Sequence, residues 1–198
     1  MSAKKTNTKT RKEPQVYYLC WTTGIEGSTA KGPKNGKLFC HYLPKNQHID
    51  TWTPIRFELP KPIFEDYQGN DMGFHLFSER FRDLIDQHKQ LKDSFQWLEN
   101  PVFYRDEERL YFILHFYDID DVLDENRIFW QSDGSIIKPA FTASKVQGHS
   151  IFTYMDKVCS FANRRAYVTK ELKHAILEAK MTGVTFEGRN ITNDLADG

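Results

Sequence analysis

The hydrophobic positions alternate with polar ones over short stretches in most of the chain and adopt a helical period twice. Val16 to Trp21 is a β-branched and aromatic run ended by Thr22 to Gly24, and reads as a first strand. Leu38 to Leu43 and Ile55 to Leu59 are further strand candidates. In the second, Ile55, Phe57 and Leu59 alternate with Arg56 and Glu58 until Pro60 and Pro62 stop the run. From Ser78 the period changes: Phe81, Leu84, Ile85, His88 and Leu91 form one stripe of an amphipathic helix, with Ser78 as its cap and Glu79 in the first turn. Phe95 to Tyr104 and Leu110 to Tyr117 then read as a strand pair around a charged turn, Arg105 to Glu108. Short strands follow at Ile128 to Trp130, Ile136 to Ile137 and Ile151 to Tyr154. A second helix opens at Thr169, carries Leu172, Ala175, Ile176 and Ala179 on one face, and is expected to close at Gly183 in the left-handed conformation. Val184 to Phe186 is a last extended piece. Alternating strands with two widely separated helices predict an α+β fold, a mainly antiparallel sheet with two principal helices packed on it.

The chain has 198 residues, 39% of them hydrophobic and 14% aromatic, enough for one core without disulfide staples. The division predicted is a disordered basic tail over 1–14, a single domain over 15–189 and a polar tail over 190–198. No run reaches the roughly 20 apolar residues of a membrane span, and the polar N-terminus carries no export signal. Cys20, Cys40 and Cys159 are odd in number and far apart, which suits a reducing compartment and predicts a cytoplasmic location.

The formal net charge of zero conceals segregation: residues 1–62 carry +7, residues 63–133 carry −10 and residues 134–198 carry +3. Such an acidic middle either solvates a face or attracts a basic partner.

Tests for catalytic motifs mostly fail. Gly32 to Leu38 is one residue short of a phosphate-binding loop and lacks its hydroxyl residue. Cys20, Cys40, His41 and His48 do not form two close ligand pairs. The run Asp118-Ile119-Asp120-Asp121-Val122-Leu123-Asp124-Glu125 lacks the glycine of a calcium loop, yet its carboxylates leave open a metal-dependent enzyme, a solvated turn or a protein-docking patch. A nucleic-acid adaptor using the basic tail is a third reading, although the acidic middle opposes phosphate binding. His149, in the turn with Gly148 and Ser150, is read as a hydrogen-bonded turn residue. These tests name no catalytic residue, no metal ligand and no cofactor.

Four stretches occur in an order that resembles a family of bacterial immunity proteins, encoded beside polymorphic toxins and type VI secretion effectors. They are Phe77 to Ile85, Tyr111 to Asp124, Gly148 to Phe152, and Val168 to Ile176 followed by Thr182 to Phe186; the likeness spans roughly Leu76 to Glu187. The resemblance implies a non-enzymatic inhibitor that neutralises a cognate toxin domain in the cytoplasm, and it transfers no catalytic residue. Against a nuclease or another toxin with a basic cleft, Asp118, Asp120, Asp121, Asp124 and Glu125 would supply charge, with Tyr117 and Trp130 as aromatic anchors. Direct nucleic-acid or membrane contact is not expected, and a homodimer is compatible with this reading.

Overall fold

A computed structural model describes residues 15–21, 26–34, 46–156, 165–189 and 191–194. The strand expected at Leu38 to Leu43, the basic tail, Cys40, His41 and Cys159 lie outside the described residues.

In chain order the strands are β1 Val16–Trp21, β2 Phe57–Glu58, β3 Tyr67–Gln68, β4 Leu76–Ser78, β5 Phe95–Tyr104, β6 Glu107–Phe116, β7 Phe129–Trp130, β8 Ile136–Lys138, β9 Phe141–Thr142, β10 Ile151–Phe152, β11 Ala166–Thr169, β12 Val184–Arg189 and β13 Ile191–Thr192. The helices are α1 Glu79–Gln87, the single turn α2 Ala143–Val146, and α3 Lys170–Glu178. This is an α+β fold whose strands pair mostly antiparallel. One sheet has the order β10-β11-β1-β12 and a second β2-β5-β6-β4-β3, in which only β2 and β5 run parallel. β7 with β8, and β9 with β13, form separate two-stranded ribbons. Among the described residues no helix is long and apolar enough to cross a membrane.

Both sheets are covered on both faces, which explains why alternation fades in their central strands. Tyr111, Phe112, Ile113 and Leu114 of β6 are all buried. Leu114 and Phe116 face a core shared with Tyr17, Leu19, Phe81, Ile85, Leu172 and Ile176, while Tyr111 and Ile113 face another built around Phe57, Phe74 and Leu98. β1 divides likewise: Tyr17 and Leu19 point to the helices, and Val16 to a third core with Phe141, Phe152 and Tyr167. Period 2 places successive side chains on opposite faces, so two covered faces give a continuous apolar run.

Several boundaries differ from expectation. Ser78 does cap α1, its Oγ accepting from the Phe81 N–H at 3.4 Å. The helix ends at Gln87, however, and Leu91, expected on its apolar stripe, is fully exposed. The β5–β6 turn is shorter than expected, Arg105 and Asp106 alone, with Arg105 at φ 52°. α3 ends at Glu178, and the left-handed residue behind it is Lys180 at φ 52° rather than Gly183. Gly183 is also left-handed, for another reason: a Cβ there would stand 2.4 Å from the Tyr67 carbonyl oxygen. Of Ile55 to Leu59, only Phe57 and Glu58 pair as a strand. β3, β4 and β11 were not expected as strands, each being too short to show a period.

Candidate functional site

Beyond β6 the chain turns sharply. Asp118 adopts φ 51°, a left-handed conformation that aspartate tolerates better than most residues, and the Ile119 N–H is held by the side chain of Asn46. The next residues run beside β9: Leu123 bridges Phe141, and the Asp124 N–H donates to the Ala140 carbonyl at 2.9 Å. A 3-10 turn, Glu125–Arg127, then leads into the β7–β8 ribbon.

This layout divides the expected acidic patch. Asp121 accepts from Lys145 Nζ at 2.6 Å, and that contact lowers its pKa from the ordinary aspartate value. Asp124 caps the 3-10 turn, accepting from the Asn126 N–H at 3.2 Å, and also accepts from the Thr192 hydroxyl; its side chain is 11% exposed. These two carboxylates are therefore part of the fold. Asp118, Asp120 and Glu125 face solvent, and among the described residues Asp118 and Glu125 have no hydrogen-bond or ion-pair partner. Among the described residues no three His, Cys, Asp or Glu side chains gather as a metal site would require.

The two expected aromatic anchors separate as well. Tyr117 is half-buried, its ring edge-on to His48 at 5.2 Å. Trp130 is 50% exposed, and beside it the structure adds Phe129 at 66% and Ile137 at 58%. Three of the six large apolar side chains exposed among the described residues thus stand on one ribbon, which begins four residues after Glu125. A sequence signal for this existed. Adjacent aromatics in a strand point to opposite faces, so a free-standing ribbon must expose at least one of them.

His149 is the residue whose setting departs furthest from expectation. Its backbone N–H donates to the Val146 carbonyl at 3.2 Å, as a turn residue's would, but its ring is buried and neither nitrogen closes a hydrogen bond. Nδ1 stands 3.5 Å from Asp93 Oδ1, and Nε2 stands 3.2 Å from Asp120 Oδ2 without hydrogen-bond alignment. Asp93 is fixed from several sides, accepting from the Gln90 N–H at 2.8 Å, the Ser150 N–H at 2.9 Å and the Ser150 Oγ at 2.5 Å. Burial pushes the Asp93 carboxyl up, but the His149 ring and these donors outweigh it and hold its pKa below the ordinary value. Because Ser150 donates to the aspartate rather than to the histidine, the three do not form a nucleophilic relay. Nothing in the sequence could reveal this cluster, since Asp93 and Ser150 are 57 positions apart.

Cys20 is not an activated nucleophile: burial raises its thiol to about 11. Comparison with protein-family models and with curated proteins finds no match to this chain.

Proposed function

We propose that the protein is an immunity protein that binds a cognate antibacterial toxin in the cytoplasm and neutralises it by contact, without catalysis. The observation that carries this reading is the β7–β8 ribbon, where Phe129, Trp130 and Ile137 stand exposed shortly beyond the exposed Glu125. Clustered aromatic and aliphatic groups beside unpaired charge are what a protein-docking surface requires: apolar anchors supply affinity, and carboxylates supply steering toward a basic partner. The order of the family-like segments between Leu76 and Glu187 supports the same reading.

The test is comparative capture from host lysate with the wild-type chain and a Phe129→Ser/Trp130→Ser variant. The expected result is one stoichiometric partner that kills cells when expressed alone, is neutralised by the wild type, and binds the variant at least about tenfold more weakly. The variant should keep the wild-type melting temperature, because both side chains are solvent-exposed. Capture of nucleic acid alone, or full retention of the toxin by the variant, would overturn the reading.

A further inference from the structure

The His149 ring is wedged between two carboxylates that differ in freedom. Its side chain is 5% exposed, with Nδ1 at 3.5 Å from Asp93 Oδ1 and Nε2 at 3.2 Å from Asp120 Oδ2. Asp93 is held in place: its side chain is fully buried and accepts from Gln90, Ser150 and Ile151, and the Lys92 N–H beside it donates to the Gly148 carbonyl at 3.0 Å. Asp120 is half exposed in the 118–121 loop, and among the described residues the ring is its one partner. The other charged or titratable groups lining the cavities around the ring are Asp118 and Lys92 on the Asp120 side, and His88 and Glu171 on the other.

A neutral imidazole has one N–H and one lone pair, so it can donate to one of these carboxylates and must turn the lone pair toward the other. Only the imidazolium donates to both. When the ring loses one proton, the proton that remains belongs on Nδ1, facing Asp93, because a buried carboxylate without its partner is far more costly than a solvated one. The contact that fails is therefore Nε2 to Asp120, whose carboxylate can turn into water.

We propose that His149 is a pH-operated latch on Asp120: as imidazolium it ties this carboxylate to the buried Asp93, and on deprotonation it releases it to solvent. The latch is closed below the ring's titration and opens as pH rises through it. Opening removes one positive charge and frees one carboxylate, so the 118–121 loop becomes more acidic toward solvent. The latch is a property of the fold and stands independently of what the protein docks.

The experiment is NMR on the full ¹³C,¹⁵N-labelled chain between about pH 5 and about pH 9, the range in which imidazole ordinarily titrates. Long-range ¹H–¹⁵N spectra read the protonation of both ring nitrogens, the His149 signals being those lost in His149→Gln. Three-bond couplings to the Asp120 carboxyl carbon read its rotamer. With rising pH, Nε2 should lose its proton while Nδ1 keeps its own. At the same midpoint the Asp120 couplings should pass from those of a single staggered rotamer to averaged values. His48, an exposed imidazole edge-on to Tyr117 at the start of the loop, is the control, and His48→Gln should keep the transition. A ring that holds one protonation state across the range, a proton retained on Nε2 instead of Nδ1, or Asp120 couplings constant through the ring's midpoint would overturn the proposal. So would a transition lost in His48→Gln or kept in folded His149→Gln. The wild-type coincidence of ring and carboxylate needs no variant, and the amide spectrum reports whether each variant is folded.

Discussion

At the scale of single residues, the most informative side chains are buried amides that imitate backbone. Asn100 of β5 is fully buried, accepting from the Ile55 N–H at 2.7 Å and donating to the Ile55 carbonyl at 2.7 Å. Four residues earlier Gln96 does the same with Ile49, at 2.7 and 2.9 Å. Together they fasten the segment between Ile49 and Ile55 to the sheet where no regular ladder continues. Replacing Asn100 by leucine keeps the volume but strands one buried N–H and one buried carbonyl, so Asn100→Leu should cost about 2–5 kcal/mol, read as a lower urea midpoint at unchanged slope. The opposite lesson comes from Asp124, which looks in sequence like a free surface charge and is instead a cap tied to Thr192. A charge reversal there would report on folding before it reported on binding.

At the scale of elements, the two left-handed residues after α3 separate what composition suggests from what packing demands. Lys180 takes the position behind the helix where glycine is usual, so Lys180→Gly should stabilise the protein by up to about 1 kcal/mol. Gly183 combines φ 74° with the Tyr67 carbonyl at 2.4 Å from any added Cβ. Gly183→Ala should therefore destabilise by about 2–4 kcal/mol, and the pair measured by thermal melting should move in opposite directions. The sequence made α1, α3, β1, and the β5–β6 hairpin legible because each is long enough to display a period or a cap. β3, β4 and β11 were illegible because two to four residues cannot show a period, and the division of adjacent Ile113 and Leu114 between two cores hides which face is inward. The candidate site was half legible: the acidic run and Trp130 were visible, whereas the pairing of Asp121 with Lys145 and of His149 with Asp93 depends on contacts more than 20 residues apart.

At the scale of the whole molecule, two carboxylates join the two sheets. Asp66, in the connection leading to β3, accepts from the Thr182 N–H at 2.9 Å beside β12, and from Ser78 Oγ and Arg80 Nε at 2.8 Å each. Asp93, just ahead of β5, accepts from Ser150 and from the Ile151 N–H at the start of β10. Burial pushes both carboxyls up, but the hydrogen bonds win and leave both below the ordinary aspartate value of 3.8. An acid whose folded pKa is depressed stabilises the fold above its unfolded pKa, and that contribution is lost as pH falls through the folded value. Glu65 works in the other sense. Burial, with Asp66 beside it, raises its pKa above 4.5, so its contribution declines as pH rises through the raised value and partly offsets the gain from the aspartates. The stability curve should therefore be nearly flat at neutral pH and fall steeply below about pH 4, where protonation releases both inter-sheet links. The Asp66→Asn/Asp93→Asn variant should be less stable at pH 7, and its denaturant midpoint should decline less between pH 5 and pH 2 than that of the wild type. Parallel curves displaced by a constant amount would mean that these links hold the sheets through shape alone and that the acid transition originates elsewhere.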